Sequence, residues 1–412
     1  SLFIISLNKD KMKKIVLVGI FGFGALFSNA QVMGTDTVTN APLNSAQNII
    51  AGNGGKRVTL GAYAQVDFNQ PLNDSIRRNG NLDVHRMIMF LGYKFNDRVH
   101  FVTEVEFEHV KEVYIEQAFI NYRINQALNL RGGLMLIPMG IMNEYHEPTT
   151  FNGVERPNLD GQIVPSTWRE MGFGITGTLN KLSLKYQLYA VNGFKSYDGS
   201  GVLRGSDGFR KGRQKGAEST ISSPNITGKV DYYGIKGLKL GLSGYFGNTQ
   251  STAYDGVLKD DDLAIKQADS TVVGLGMMGF DARYTYKAFQ ARAQFNYSSI
   301  SGTKEYNLYT TKDIGSSMMG YYGEIGYDVL SLFNKDAKEK IVIFGRYEFY
   351  DTQYSVTDET TKNDAYARTD MTFGLTYHIA NGAAFKADYQ MFKTEASDEY
   401  SNQINFGLGV WF

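Results

Sequence analysis

The chain has 412 residues, no cysteine, and 42 basic residues that balance 42 acidic residues. The charge balance gives no electrostatic reason to expect a nucleic-acid partner, and the lack of cysteine excludes disulfide bonds, thiolate chemistry and a lipid anchor on cysteine. The 45 glycines, 27 tyrosines and 26 phenylalanines, with only seven prolines, favour many strands joined by tight turns over a disordered chain.

The N-terminal part has the pattern of a secretory signal peptide. Two lysines precede the apolar run 15–27, and small residues follow it up to Ala30. The run has 13 residues, whereas a transmembrane helix needs about 20. We therefore expect 1–30 to be a signal peptide, with 1–11 as an upstream extension and cleavage after Ala30. The polar, glycine-containing stretch 31–56 is expected to be a flexible periplasmic segment.

From Arg57 onward, apolar and polar residues alternate with a period of two, as in strands that have one apolar and one polar face. The parity of the polar positions changes at Lys287-Ala288, which predicts a two-residue turn there. The alternating pattern predicts sixteen strands, at 58–68, 82–95, 98–109, 112–124, 127–139, 168–179, 182–192, 226–236, 238–247, 271–286, 288–300, 315–330, 339–352, 366–379, 384–394 and 402–412.

The connections between these segments alternate between short and long, apart from the very short link at 110–111. A regular alternation of short and long connections is not expected in a soluble all-β protein. Outer-membrane barrels show it, because they have short periplasmic turns and long extracellular loops. We therefore predict an all-β fold over 57–412, a transmembrane antiparallel β-barrel of about sixteen strands with both termini in the periplasm. The predicted location is the outer membrane of a Gram-negative bacterium, in contact with lipid and lipopolysaccharide.

Three stretches suggest a family. They read FVTEVEFEH at Phe101–His109, LMLIPMGIMNEYHEPTTFNGVERPN at Leu134–Asn158 and STWREMGFGI at Ser166–Ile175. They resemble the phosphate-selective porin O and P family, in a form common among Bacteroidetes-type bacteria, over roughly a quarter of the chain after 1–30. The resemblance implies a homotrimer of sixteen-stranded barrels in which the third outer loop folds inward and narrows the pore. The connection 140–167 is that loop.

The chain closes with NFGLGVWF at Asn405–Phe412. This resembles the C-terminal strand signature that the barrel-assembly machinery recognises, with Phe412 as its terminal aromatic residue.

Alternation places charged side chains on the inward face of the strands, because charge on the lipid face is costly. We expect Asp67, Glu324, Asp328 and Asp388 to face inward. The main candidates for the lumen wall are Glu104, Glu106, Glu108, Arg123, Arg131, Arg283, Arg292, Arg346 and Glu348. Candidates for a constriction in the loop 140–167 are Glu144, His146, Glu147, Glu155, Arg156 and Asp160.

These candidates predict a passive channel for small hydrophilic solutes or ions, with a water-filled, mixed-charge lumen and weak selectivity. The acids of the loop outnumber Arg156, its one firm cation, so strong anion selectivity is not expected. Phosphate or anion uptake remains an alternative, and so does a barrel with a blocked lumen that acts as an adhesin or enzyme.

Other chemistry finds little support in the sequence. Glu144, His146 and Glu147 lack the spacing of a helical HExxH metal site, and His146 is expected to pack or form a hydrogen bond inside the folded loop. No GxSxG nucleophile elbow is present. We therefore expect no enzymatic activity, no metal and no cofactor.

Overall fold

The structure is a computed structural model that describes residues 44–51, 57–73 and 75–412. The signal peptide predicted at 1–30 lies outside the described residues, and so does most of the segment 31–56. No helix in the described part of the chain is long and apolar enough to cross a membrane.

Sixteen antiparallel strands close into one barrel, in which each strand pairs with its neighbours in sequence and the last pairs with the first. In the closing pair, Tyr63 lies opposite Trp411 and Leu72 opposite Asn402. The predicted all-β antiparallel barrel is thus confirmed, with every predicted strand present. The strands β1 to β16 are Val58–Leu72, Asn81–Lys94, Val99–Glu108, Glu112–Arg123, Asn129–Leu136, Arg169–Leu179, Leu184–Val191, Asn225–Ile235, Leu238–Asn248, Gly274–Tyr286, Phe289–Ser301, Ser317–Asp328, Lys340–Ser355, Ala367–Ala380, Ala383–Thr394 and Ser401–Trp411.

The two faces of the strands differ as the alternation predicts. Apolar side chains such as Leu60 and Phe173 point outward, where they are 75% and 70% exposed, while Gln65 and Glu104 point inward and are buried. The charged face therefore lines the lumen, and the outer wall is apolar.

The two ends of the barrel carry different connections. At one end, which we call the turn end, Tyr286 pairs with Phe289, so Lys287 and Ala288 form the predicted two-residue turn. At the other end, the loop end, the longest connections are 137–168 and 192–224. The link after β3 breaks this pattern, because His109 and Val110 both have a positive φ and reverse the chain within three residues.

Short elements occupy the loops and one segment before the barrel. The α-helices α1 to α4 are Ser45–Ala51, Leu159–Gln162, Asp262–Asp269 and Thr303–Thr310. Short 3₁₀ helices lie at Asn180–Leu182, Gly205–Asp207, Arg210–Gly212, Thr252–Tyr254, Val329–Leu332 and Asp364–Tyr366. The two small strands Lys195–Tyr197 and Gln250–Ser251 pair with each other in parallel, outside the barrel sheet.

A β-bulge in β4 changes the inward face of that strand. Glu104 pairs with Gln117 but Val105 pairs with Ile115, so Glu116 is the extra residue. As a result Glu116 and Gln117, which are adjacent in sequence, are both buried. A strict period of two does not predict this.

The helix α1 was not predicted. Its start has a capping box, since the Gln47 amide donates to Asn44 Oδ1 at 3.0 Å and the Asn44 amide donates to Gln47 Oε1 at 3.2 Å. Ala46 and Ile49 are buried in one apolar cluster with inward side chains of β1 to β4, such as Phe90. The helix therefore packs on an apolar part of the lumen wall. The flexibility of the rest of 31–56 stays a prediction.

The contact between α1 and β2 can be tested at Gly92. A Cβ atom on Gly92 would lie 2.1 Å from Ile49 Cγ2, so Gly92→Ala should lift the helix off the wall. We expect faster amide hydrogen exchange in α1 of the folded variant, with little change in the strands. Gly132→Ala is the control, because its nearest atoms would lie at 3.8 Å. Equal exchange in both variants would contradict this packing.

Candidate functional site

The connection 137–168 lies inside the barrel, and none of its residues is exposed. We call it the inward loop. It has little regular structure of its own beyond the single turn of α2. Its backbone polar groups must therefore find partners elsewhere, because a buried unpaired amide is costly.

Acceptors on the far wall satisfy several amides of the inward loop. The wall residues belong to three different strands, so the loop spans the lumen. The amides of Ile141, Val154 and Leu159 donate to Gln294 Oε1 at 2.6 Å, Asp388 Oδ2 at 2.6 Å and Glu348 Oε2 at 3.3 Å, respectively.

Arg346 is the centre of one charged cluster beside the loop. Its guanidinium donates to Glu348 at 2.9 Å and lies 3.5 Å from Glu324. The same group donates to the Glu155 carbonyl at 3.3 Å. Arg292 adds a bond of 3.1 Å to Glu324. The predicted wall residues Arg292, Glu324, Arg346 and Glu348 therefore form one network of ion pairs. Arg346 also donates to the backbone of the inward loop.

Lys229 is the centre of a second cluster. The fully buried ammonium lies 2.8 Å from Asp281 and 3.0 Å from Glu144, and donates to the Gly140 carbonyl at 3.0 Å. Burial alone would raise the pKa of Glu144, but the charges of Lys229 and Lys185 hold that pKa below its usual range. Glu144 is thus an anionic anchor of the loop. Lys229 was not among the predicted lumen residues, although its inward position follows from alternation along β8.

A third contact joins the inward loop to β3 and β4. His146 Nε2 lies 3.3 Å from Glu116 Oε2 and 4.0 Å from Glu104 Oε2. Arg156 donates to the His146 carbonyl at 2.9 Å. Two predicted residues, Glu104 and His146, therefore both approach Glu116. Glu116 was not predicted, because the bulge in β4 breaks the period of two.

The carboxyl groups of the remaining acidic candidates of the loop lie outside the Arg346 and Lys229 clusters. Asp160 accepts from Gln294 at 2.7 Å, and burial raises the pKa of Asp160 to about 7 against that hydrogen bond. Glu147 is buried, whereas Glu155 accepts from Asn69 at 2.9 Å.

The remaining wall candidates are more dispersed. Arg131 and Arg283 stack on Phe119 and Tyr145, with 4.4 Å and 4.0 Å from guanidinium carbon to ring centroid. Asp328 caps the turn after β12 by accepting from the Leu330 amide at 3.2 Å. Glu106 is buried 3.5 Å from Arg86, Glu108 is half-buried at the loop end of β3, and Arg123 is exposed at the turn end.

A cavity of about 310 Å³ opens on the loop-end side of the inward loop. We call it the loop-end cavity. Three acids, Glu106, Glu108 and Glu155, contribute to its lining. Basic side chains outnumber them and come from strands and from two loops, namely Arg86, Arg156, Arg169, Arg210, Arg213 and Lys215.

Most of these cations were not predicted. Arg210, Arg213 and Lys215 lie in the connection 192–224, which has no strand periodicity, although its run FRKGRQK was a signal of local charge. Burial and the charges of Arg210 and Arg169 lower the pKa of Arg213. The crowding of like charges indicates a local field that attracts anions.

A second cavity, of about 410 Å³, lies on the turn-end side of the same loop. Tyr145 and Thr150 of the loop line it together with Arg283, Arg292 and Glu324. We call it the turn-end cavity. The inward loop therefore separates two polar cavities within the barrel.

Part of the lumen is apolar, which differs from the expected water-filled interior. Trp168 at the end of the inward loop stacks on Phe194 at 4.4 Å, and Phe194 stacks on Phe209 at 5.3 Å between ring centroids. These aromatic rings join the inward loop to the connection 192–224. Buried apolar side chains of the two connections belong to one core cluster.

The Lys229 cluster can be tested by Lys229→Met. The variant leaves Glu144 and Asp281 without their shared cation, and removing one partner of a buried ion pair costs about 3–5 kcal/mol. We expect a lower denaturant midpoint of the folded barrel in detergent. In the control Lys393→Met, the lost ion pair with Asp398 is exposed, and such pairs contribute about 0–1 kcal/mol. Equal midpoints would refute the anchoring role of Lys229.

No protein-family model matches the chain. An uncharacterized protein of Aquifex aeolicus (strain VF5) is 31% identical over 367 residues, covering 86% of this chain and 80% of that protein.

Solved porin structures share the fold, each over 86% of this chain. The outer-membrane channel DcaP of Acinetobacter baumannii aligns over 97% of its length, with a TM-score of 0.56 and 13% identity. Salmonella typhi OmpF, solved with daunomycin, aligns over 97%, with a TM-score of 0.54 and 9% identity. An anion-selective porin from Comamonas acidovorans aligns over 99%, with a TM-score of 0.52 and 12% identity.

The closed sheet and the apolar outer wall identify a multi-pass β-barrel of the outer membrane. Closure leaves no unpaired strand edge, and the outward side chains suit contact with lipid.

Proposed function

The chain belongs to the same family as the Aquifex aeolicus protein, and we propose that it is an outer-membrane porin for passive diffusion of small hydrophilic solutes or ions. The observation that carries the proposal is the pair of polar cavities on the two sides of the inward loop. In a barrel that spans the membrane, polar space on both sides of one buried loop suits a channel with a narrow middle.

The charges that face the two cavities support a constriction of mixed charge. Glu155 and Arg156 are adjacent on the inward loop and both line the loop-end cavity. We propose that the passage runs beside this pair. Many other charged wall residues are bonded to the loop backbone and are therefore less available to a passing ion.

Anion uptake is the second candidate, and the basic lining of the loop-end cavity favours it. Guanidinium groups supply several N–H donors in a fork that suits oxyanions such as phosphate. Membership of the phosphate-selective porin O and P family, inferred from the sequence resemblance, would agree with this candidate.

Four further features belong to the proposal. We expect a homotrimer, export by the signal peptide at 1–30, insertion by the barrel-assembly machinery through Phe412, and no enzymatic activity. Phe412 lies at the closure of the barrel, where its amide and carbonyl each bond to Ala62 at 2.9 Å.

Conductance across a planar lipid bilayer tests the channel. Folded protein should give large, steady conductance steps, because the two cavities would connect past the inward loop. Silence from correctly folded protein would reject the channel and would favour the blocked barrel that acts as an adhesin or enzyme.

Reversal potentials in a KCl gradient test the role of the adjacent pair. Arg156→Ala should shift the potential towards K⁺ preference and Glu155→Gln towards Cl⁻ preference, since each removes one charge from the passage. Arg156→Lys keeps the charge and should lie close to the unmodified protein. Shifts of the same sign in the first two variants would show that this pair does not set the selectivity. Overall K⁺ preference of the unmodified channel would exclude anion uptake.

A further inference from the structure

Three buried side chains converge where the inward loop meets the wall. Glu104 on β3, Glu116 at the bulge of β4 and His146 in the loop are at most 1% exposed. One ligand atom from each lies within 4.8 Å of the other two. Within the described residues, both carboxylates and His146 Nε2 lack a hydrogen bond of good geometry.

The orientation of the imidazole ring indicates what faces the carboxylates. His146 Nδ1 lies 3.2 Å from the Asn143 carbonyl, which can only accept, so Nδ1 carries the proton of that hydrogen bond. In the neutral ring Nε2 is then unprotonated. Nε2 lies 3.3 Å from Glu116 Oε2 and 4.0 Å from Glu104 Oε2, which are also acceptors. Three facing acceptors need a proton or a metal ion between them.

We propose that Glu104, Glu116 and His146 form a site for one divalent transition-metal ion of the zinc type, which ties the inward loop to the barrel wall. Ligands at zinc distances in a tetrahedron are about 3.3–3.4 Å apart, and His146 Nε2 lies 3.3 Å from Glu116 Oε2. Glu104 Oε2 is further, at 4.0 Å, and joins by a small rotation of its side chain. Three protein ligands leave a fourth position for water.

The donor set also selects the class of metal. An imidazole nitrogen beside two carboxylates suits zinc and its neighbours in the first transition row, whereas calcium and magnesium prefer oxygen ligands alone. The carbonyl that holds Nδ1 is the kind of outer partner that orients metal-bound histidines. Arg86 lies 4.0 Å from the other oxygen of Glu116, Oε1, which leaves Oε2 to the site.

The competing cation is a proton on Nε2, which would make His146 an imidazolium between two carboxylates. Metal binding to the folded, untagged chain in detergent distinguishes the two. After treatment with a chelator, the protein is titrated with Zn²⁺ by calorimetry and with Co²⁺ by its visible absorption. We expect one ion per chain and an absorption band of low-symmetry Co²⁺.

His146→Ala and Glu116→Gln should each weaken binding by more than about 100-fold, since even outer partners of metal ligands contribute about 10–100-fold. His109→Ala is the matched control, because His109 is exposed at the loop end and outside the site. Zn²⁺ should raise the unfolding temperature of the unmodified protein and of His109→Ala but not of His146→Ala. Glu104→Gln, which keeps the side-chain shape, serves if His146→Ala does not fold.

Two outcomes would overturn the site. One is the absence of Zn²⁺ and Co²⁺ binding by the folded unmodified protein, which would assign the central cation to a proton. The other is binding that persists in His146→Ala or is lost only in His109→Ala, which would place the metal on the surface. These measurements do not depend on conductance, so the site and the channel can fail separately.

Discussion

The inward loop places the strongest constraint on this barrel, because it carries irregular backbone through the lumen. In a strand or helix the backbone provides its own hydrogen bonds, but here the wall must supply them. Asp388 and Glu348 accept from loop amides, while Arg346 and Lys229 donate to loop carbonyls. Much of the charge on the inward face is therefore explained by the loop that it holds.

This use of charge divides the lumen residues into two groups. Lys229 and Arg346 each contact several acceptors and are almost fully buried, so they fix the position of the loop. Arg156, Glu155 and Arg213 line the loop-end cavity. A count of charges in the sequence combines the two groups. The acids of the inward loop therefore suggested a less basic cavity than the structure shows.

The strands were predictable because one physical cause, lipid outside and polar surface inside, acts on every second residue for the length of the barrel. The same rule placed Glu104 and Arg346 inward. It failed at Glu116, where the bulge adds a residue, and at Arg213, where a loop has no period. The meeting of Glu104 with His146 is long-range and depends on how the loop folds, which alternation does not encode.

The apolar part of the lumen would constrain the route of a solute in the proposed channel. Towards the turn end of β1 to β4, the inward side chains Tyr63, Ile88, Phe90, Val102 and Phe119 are apolar or aromatic and share one buried cluster with Ala46 and Ile49 of α1. The turn-end cavity is instead lined by β9 to β12, where Arg283, Arg292 and Glu324 lie. A hydrated ion favours polar surface, because losing water contacts without replacement hydrogen bonds costs free energy. In the proposed channel, the charged wall of β9 to β12 therefore offers the lower-energy path on the turn-end side of the inward loop, where α1 covers the apolar wall near Gly92.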